Sequence, residues 1–498
     1  MEIPKEVKIV INKLEKKGFE AYVVGGCVRD FLLARRSESE GGRDVETQDW
    51  DVATCAKPKE IQKIFPRSFY KNKFLTVTVR TASRNPKLKE VEITTFRSEA
   101  KYTDKRHPDE VRFAKSIEED LARRDFTINA IAFDLLMSEI NKTVDPFGGQ
   151  KDLKAKIIRA VGKPEERFNE DALRMMRAVR FAVTLGDNWQ IEEKTAKAIK
   201  ANSAWLQAIS KERIRDELMK IIMSEGAAQG IELLRELGLL KYIIPELEEG
   251  YKVAQNKHHI YECYEHSVLS LKYAAQKSFK EHVRLASLLH DIAKPRTKCG
   301  QGESATFYGH EVVGAKMTAQ ILNRLKFPKK TIEKVTKLVR YHLFYYNVDE
   351  VTASSVRRLV RQVGPENMED LLQVRMADRI GSGVPKAEPY KLRHLKYVIE
   401  KASQDPISAK MLKVTGNDIM SLLNVKPGPK IGYILDVLLG YVLNDPKNNE
   451  KKFLEREVKK LGELGDGNLK KQAEMAKKEQ EKIATKRDEM TKKKYWVT

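Results

Sequence analysis

Asp49 and Asp51 stand two residues apart in DWDVAT (49–54) and have the type and spacing to hold divalent cations. In a strand, alternate side chains share a face, so both carboxylates would project together. Upstream, GGCVRD (25–30) follows an apolar run, Ala21 to Val24, that reads as a short strand. Val28, Phe31 and Leu32 then begin a helical apolar pattern. A strand turning at Gly25 and Gly26 into a helix offers bare backbone N–H groups and a positive dipole end to a phosphate. Arg29 adds a fixed cation. Carboxylates beside such a cradle could hold the divalent ions that activate an attacking hydroxyl and screen a triphosphate. Each half, taken alone, also occurs in ordinary turns.

Further groups extend this chemistry. Glu92 lies in EVEITTFR (90–97), one step off that strand's apolar face, and is either a third carboxylate for the metals or a solvent-facing strand residue. Residues 118–135 read as a helix with apolar positions 121, 128, 131 and 135. Arg123 and Arg124 sit early in it, either clamping phosphates or pairing with Glu118, Glu119 and Asp120. In 167–183, also helical in pattern, Asp171, Arg174 and Arg177 recur along one side, a row that would ordinarily be a salt-bridged surface.

Histidine marks a second constellation. Seven of the nine histidines lie between 258 and 342. His266, His290-Asp291, His310, His342 and Asp378 all fall in helical patterns, and such an N/O set suits a divalent metal that activates water on a phosphate ester. Ordinary core histidines are the alternative. Lys294, in HDIAKP, is placed to steady a phosphate.

These groups need scaffolds, and the rest of the chain suggests them. Residues 2–18 form an amphipathic helical pattern, 35–48 a polar loop, and 74–82 with 90–97 a pair of strands around an RNPK turn. From about 150 onward the pattern is almost wholly helical. Residues 451–498 are Lys/Glu-rich with few apolar anchors, which predicts a solvated or marginal helix. At 498 residues there is length for about three or four domains and ample core. A net charge of +22 predicts a polyanionic partner, nucleic acid before membrane. No apolar run approaches the ~20 residues that span a bilayer. The four cysteines form no C-x-x-C pair and, with no signal peptide, predict reduced thiols and a cytoplasmic location.

The ordered motifs GGCVRD, DWDVAT, EITTFR, RRDFTINA, DPFGG and RFNEDALRMMRAVRFA resemble the class II tRNA nucleotidyltransferases, the bacterial-type CCA-adding enzymes and poly(A) polymerases of the DNA polymerase β superfamily. The resemblance is dense over about 20–225 and looser to about 445. It implies an α+β protein: a polymerase-β-like head with a small mixed sheet (20–145), then an all-α neck (146–250), body and tail. The histidine constellation resembles the HD superfamily and implies an HD domain at 251–385. His266, His290, Asp291 and Asp378 would be its metal ligands, with His310 and His342 available for a second ion. A helical tail (386–450) and the charged segment 451–498 follow. In that tail, Pro427-Gly428-Pro429 ahead of a helix N-terminus suggests a phosphate contact to the tRNA acceptor stem or elbow, or a simple capping turn.

By the same resemblance Asp49, Asp51 and Glu92 would hold catalytic magnesium. Gly25, Gly26, Arg29 and Arg124 would bind the incoming nucleotide, and Asp171 and Arg174, supported by Arg177 and Arg180, would select the base. The implied activity is untemplated addition of CCA to the tRNA 3′ end from CTP and ATP. The alternatives are a poly(A) polymerase or an A-adding enzyme of the same family, or an HD phosphohydrolase as a second activity. Two departures stand out. The segment between the GGCVRD helix and the D-x-D strand is longer than the family shows. The flexible-loop motif, usually Asp-Gly-Arg-His-Pro, reads Asp104-Lys105-Arg106-His107-Pro108.

Overall fold

The computed structural model describes residues 3–40, 50–71, 76–100, 110–134, 143–255, 260–348, 350–403, 409 and 412–497. Asp49 and the 104–108 loop lie outside them. The chain divides into two compact units, one of residues 1–343 with 370–385, the other of 344–369 with 386–498. No helix among the described residues is long and apolar enough to cross a membrane.

The first unit carries a seven-stranded sheet. Its strands are β1 (Ala21–Val24), β2 (Asp51–Thr54), β3 (Ser68–Lys71), β4 (Thr76–Arg80), β5 (Glu90–Thr95), and, after the hairpin β6–β7 (Arg97–Ala100 and Glu110–Phe113), β8 (Ala132–Asp134) and β9 (Thr143–Val144). The order is β3-β4-β5-β2-β1-β8-β9. Neighbours are antiparallel except β2 and β5, which run parallel with Asp51 opposite Glu92. Strand β5 alternates as a half-buried strand must, Val91 and Ile93 inward and Glu90 and Glu92 outward. The expected pairing of 74–82 with 90–97 is present as β4 with β5. Behind β1 and β2, Phe96, Ile117, Leu121, Ala130 and Ala132 pack with Val24 and Ala53 into a buried cluster.

Several expectations about elements need correction. The polar stretch from 35 is not loop throughout, because the helix Gly26–Glu40 runs through its first residues. The helix expected at 118–135 is one short helix, Ile117–Ala122, capped by Ser116, then a 3-10 turn at Thr127–Asn129 and strand β8. Ala132 and Phe133 form ladder pairs with β1, so the apolar spacing there serves a sheet. The helix expected over 167–183 is two, Pro164–Glu170 and Leu173–Thr184, broken at Asp171, whose backbone is extended (φ −146, ψ 102).

The second unit is helical. Its core gathers Leu412, Val414, Ile419, Ile434, Leu438 and Leu439 with Leu454, Val458, Leu461, Leu469 and Ala473. The last five belong to the segment expected to be marginal. Helices Lys451–Gly462 and Asp466–Tyr495 bury them against Pro429–Asn444. A few apolar residues at three- and four-residue spacing were enough to anchor a Lys-rich surface. Gly428 caps Pro429–Asn444 in extended conformation with Pro429 at its first turn.

Candidate nucleotide and metal sites

The turn that ends β1 is where the first site begins. Val24 pairs with Asp51 in the sheet, and Gly25 follows at once with φ +82. A Cβ on Gly25 would lie 2.9 Å from Arg124 Nη1 and 3.6 Å from Asp51 Oδ2. Glycine is needed twice over, for the left-handed backbone and for the closeness of a cation and a carboxylate. The 15-residue helix starting at Gly26 points its N-terminus at this spot, and Arg29 Nη2 lies 3.7 Å from where a Gly26 Cβ would be. Glu92, opposite Asp51 on the neighbouring strand, adds a carboxylate on the same face. Gly25, Gly26, Arg29, Asp51, Glu92 and Arg124 are thus brought together.

Arg29 is held rather than loose. It donates to Asp30 (2.8 Å) and to Asn129 Oδ1 (2.9 Å), and it stands 5.1 Å from the Phe181 ring centroid. Asn129 in turn donates to Asp125 (3.1 Å), and Asp125 takes Arg177 at 2.5 Å. Burial would raise the Asp125 carboxyl, but the Arg177 and Arg174 guanidiniums outweigh it and hold it well below the usual carboxylate range. Phe181 also lies beneath Arg177 (5.5 Å) and Arg180 (4.0 Å), so three guanidiniums share one ring. This network joins the glycine turn to the Leu173–Thr184 helix.

The alternative reading of the arginine pair is partly realised. Asp120, 1% exposed, takes Arg123 at 2.8 Å and Arg124 at 3.3 Å. Burial raises its carboxyl, and the two guanidiniums bring it below the ordinary value. Arg124 nonetheless keeps Nη1 beside Gly25.

Asp171 and Arg174 do not share a helix, and their side chains do not pair with each other. Asp171 sits at the break and pairs with Arg213 (2.7 Å), while Arg174 pairs with Glu170 (2.5 Å) and donates to the carbonyls of Arg167 and Arg123 (3.2 and 3.0 Å). Arg180 pairs with buried Glu217 at 2.7 Å. Asp125, Asn129, Glu170, Arg213 and Glu217 were not singled out from the sequence. Glu170 had a local signal, four residues before Arg174; the others come from elsewhere in the chain.

Five helices build the second site, also within the first unit. His266 lies in Cys263–Gln276, and His290 caps Glu281–Leu289. His310 opens His310–Arg324, His342 caps Lys329–Tyr341, and Asp378 lies in Met368–Gly381. Gly381 permits this: a Cβ there would meet Ser270 Oγ at 2.2 Å and the His266 carbonyl at 2.8 Å.

The donor atoms fall into two groups, His266, His290, Asp291 and Asp378, and Asp291, His310 and His342. Asp291 Oδ2 faces His266 Nε2 (3.0 Å) and His290 Nε2 (3.3 Å), and Oδ1 faces His310 Nε2 (3.3 Å) and His342 Nε2 (3.5 Å). Nδ1 of His290, His310 and His342 each meets a backbone carbonyl, of Ser287, Phe307 and Val339, at 2.7–2.9 Å. A ring that donates from Nδ1 presents a lone pair on Nε2, so the residues fit divalent metal by donor chemistry and outer support. Burial lowers His290, but Asp291 and Asp378 outweigh it and push it up to about 10, so its Nε2 lone pair is free for a metal once the cation takes the proton's place between the carboxylates. Lys294, buried, bonds Asp291 (2.7 Å) and Gln255 (2.6 Å). The cluster floors a cavity of about 830 Å³ whose wall includes Tyr308, Arg375 and Arg379.

Known proteins match most of this chain. The Poly A polymerase head domain family matches residues 21–159, the RNA and SrmB-binding site of polymerase A matches 188–250, and tRNA nucleotidyltransferase domain 2 matches 310–458. The A-adding tRNA nucleotidyltransferase of Deinococcus radiodurans is 36% identical over 344 residues, covering 66% of this chain and 76% of that protein. The CCA-adding enzyme of Ligilactobacillus salivarius is 34% identical over 484 residues, covering 92% and 99%. Among solved structures, the Bacillus stearothermophilus CCA-adding enzyme in complex with CTP superposes with a TM-score of 0.57 at 28% identity, covering 92% of this chain and 98% of that one.

Proposed function

As the chain belongs to the tRNA nucleotidyltransferase family of the CCA-adding enzymes, we propose that it adds CCA to the tRNA 3′ end from CTP and ATP without a nucleic-acid template. The tRNA 3′-hydroxyl attacks the nucleotide α-phosphate and pyrophosphate leaves. The family's reaction depends on divalent metal. We assign it to magnesium held by Asp51, with Asp49 and Glu92; when bound, the ions lower the hydroxyl's pKa and screen the triphosphate. The observation that carries this reading is Asp51 in register with Glu92, beside a glycine turn that Arg124 approaches closely.

The remaining roles follow from the donors present. Gly25, Gly26 and Arg29 offer N–H groups and a cation to the triphosphate, and Arg124 reaches the same place. Among the described residues, three of Arg174's five N–H groups have acceptors, which leaves Nε and one hydrogen of Nη2 for a base edge. Cytosine presents O2 and N3 acceptors beside an amino donor, and adenine N1 beside its amino group. An arginine with a carboxylate satisfies either. Uracil and guanine turn an N–H to the arginine and a carbonyl to the carboxylate, leaving buried groups unpaired at ~1–3 kcal/mol each. The +22 charge and the Pro427-Gly428-Pro429 helix start serve the tRNA backbone, and tRNA places the reaction in the cytoplasm.

Incubation with tRNA ending at the discriminator base, and each nucleotide singly, tests this. Two C from CTP alone, then one A on tRNA ending in CC, is the expected result. Addition of A only to CC ends would make it an A-adding enzyme, and long A tracts a poly(A) polymerase.

A second reading, metal-dependent phosphohydrolysis at the His/Asp cluster, is favoured by one observation: both Asp291 oxygens face histidine Nε2 atoms, one pair each. His266, His290, Asp291 and Asp378 would hold one divalent ion, and Asp291, His310 and His342 a second. Bound there, such ions supply an activated water. Lys294 and Arg379 line the cavity and would meet a phosphate's charge.

A further inference from the structure

The Asp171 carboxylate is gripped from two sides. Oδ1 accepts from the Leu173 backbone N–H (3.1 Å) and from Arg213 Nη1 (3.2 Å), and Oδ2 accepts from Arg213 Nη2 (2.7 Å). Among the described residues, two donors on Oδ1 and one on Oδ2 leave a single well-directed lone pair, on Oδ2. The pair is half-buried, 29% and 20% exposed, and fork-to-fork, a geometry that fixes the carboxylate's rotation as well as its position. Arg213 comes from the helix Lys211–Ile222, which packs along Leu173–Thr184. Four residues on, Glu217 on the same helix is buried and takes Arg180. One helix thus braces two members of the base-selecting group, at a spacing that puts both braces on one face.

We propose that Arg213 is a positioning residue for base choice, aiming one Asp171 oxygen at the base so that an amino group is accepted and a carbonyl refused. The inference rests on Asp171 selecting the base, as read above. A carboxylate freed to rotate can turn aside, and a water can then bridge it to the carbonyl of uracil or guanine. The selective penalty disappears while the binding of C and A suffers less.

The test compares Arg213→Ala, Arg213→Lys and Asp171→Ala in the full chain, as kcat and KM for all four nucleotides on one tRNA primer, with melting temperatures alongside. Arg213→Ala is expected to lower the C-over-U and A-over-G ratios of kcat/KM by about tenfold. The double variant with Asp171→Ala should discriminate no worse than Asp171→Ala alone, because the two act through one carboxylate. Arg213→Lys keeps the charge without the fork and should recover only part of the ratio; it carries the test if the alanine variant does not fold. A structural role would lower all four kcat/KM values together. Unchanged ratios in both Arg213 variants, with Asp171→Ala losing discrimination, would overturn the inference alone. Unchanged ratios in Asp171→Ala would overturn the base-selecting role of Asp171 and this inference with it.

Discussion

Asp51 and Glu92 face each other directly across the parallel pair β2–β5, on strands that are neighbours in space though some forty residues apart in the chain. Paired residues on adjacent strands stand roughly 5 Å apart, close enough for two carboxylates to share cations. Asp51 is tied as well to Val24 on its other side, one residue before the Gly25 turn. The sheet therefore delivers the two carboxylates and the glycine turn to one place by register alone.

Asp51→Ala is expected to abolish nucleotide addition while leaving tRNA affinity within about twofold, since we assign tRNA binding to the basic surface and not to the metal ligands. Glu92→Gln, which keeps shape but loses charge, should lower kcat by roughly ten- to a hundredfold. Single-turnover incorporation and filter binding on the same preparations check both. Robust incorporation by Asp51→Ala would remove the metal assignment.

Base selection gives a second expectation. If Arg174 only paired with Glu170 on a surface, its loss would cost roughly 0.3–0.5 kcal/mol of stability and leave base choice alone. If it faces the base, Arg174→Ala loses donors to cytosine O2 and N3 and to adenine N1. Incorporation of C and A should then fall, with discrimination against U and G weaker by about tenfold, some 1.4 kcal/mol of lost differential binding. Four-nucleotide kcat/KM ratios that match the wild type would return Arg174 to a purely structural role.

The buried pair Asp125–Arg177 should show in the acid limb of stability. Asp125 is held below the usual carboxylate range, so its contribution is complete above the unfolded value, near pH ~4, and is lost as pH falls through the depressed folded value. Asp125→Asn should cost roughly 2–4 kcal/mol at neutral pH, discounted from a fully buried pair because Arg177 is 35% exposed. Its melting temperature should also fall less steeply between about pH 4 and 2 than that of the wild type. Parallel acid limbs in thermal melts would show that Asp125 does not carry this charge coupling.

How much was legible in advance depended on distance along the chain. The glycine turn, the strand that starts at Asp51 and the β4–β5 pair are local patterns, and period two or a glycine punctuates them plainly. Residues 118–135 misled because Leu121, Ile128 and Ile131 recur at helical spacing, yet Ala132 and Phe133 are taken into the sheet by β1, a non-local demand. Asp171 broke its expected helix because its carboxylate receives Leu173 N–H and Arg213, and the latter lies 42 residues away. Asp291 could be named as a ligand from His-Asp adjacency. That it stands between two groups of histidines needed five helices in place, and the Gly381 contact that allows it has no local signature.

The His/Asp cluster supplies the last expectation, and it separates the two sites. If both Asp291 oxygens serve ions, the full chain purified with manganese or nickel should retain about two equivalents after desalting. His342→Ala removes a donor from the Oδ1 side only and should lose about one. Asp291→Asn, touching both groups, should lose nearly all, and His290→Ala should empty the Oδ2 side. Each variant should still add CCA, because Asp51, Glu92 and the glycine turn lie on the sheet and share no side chain with the cluster. Hydrolysis of cyclic and terminal phosphates should follow metal content across the series and stop with chelator, whereas Asp51→Ala should leave it intact. Full metal content in Asp291→Asn by mass spectrometry would refute the shared ligand. Metal retained with no hydrolysis of any phosphate ester would leave the cluster a structural staple and refute the second activity.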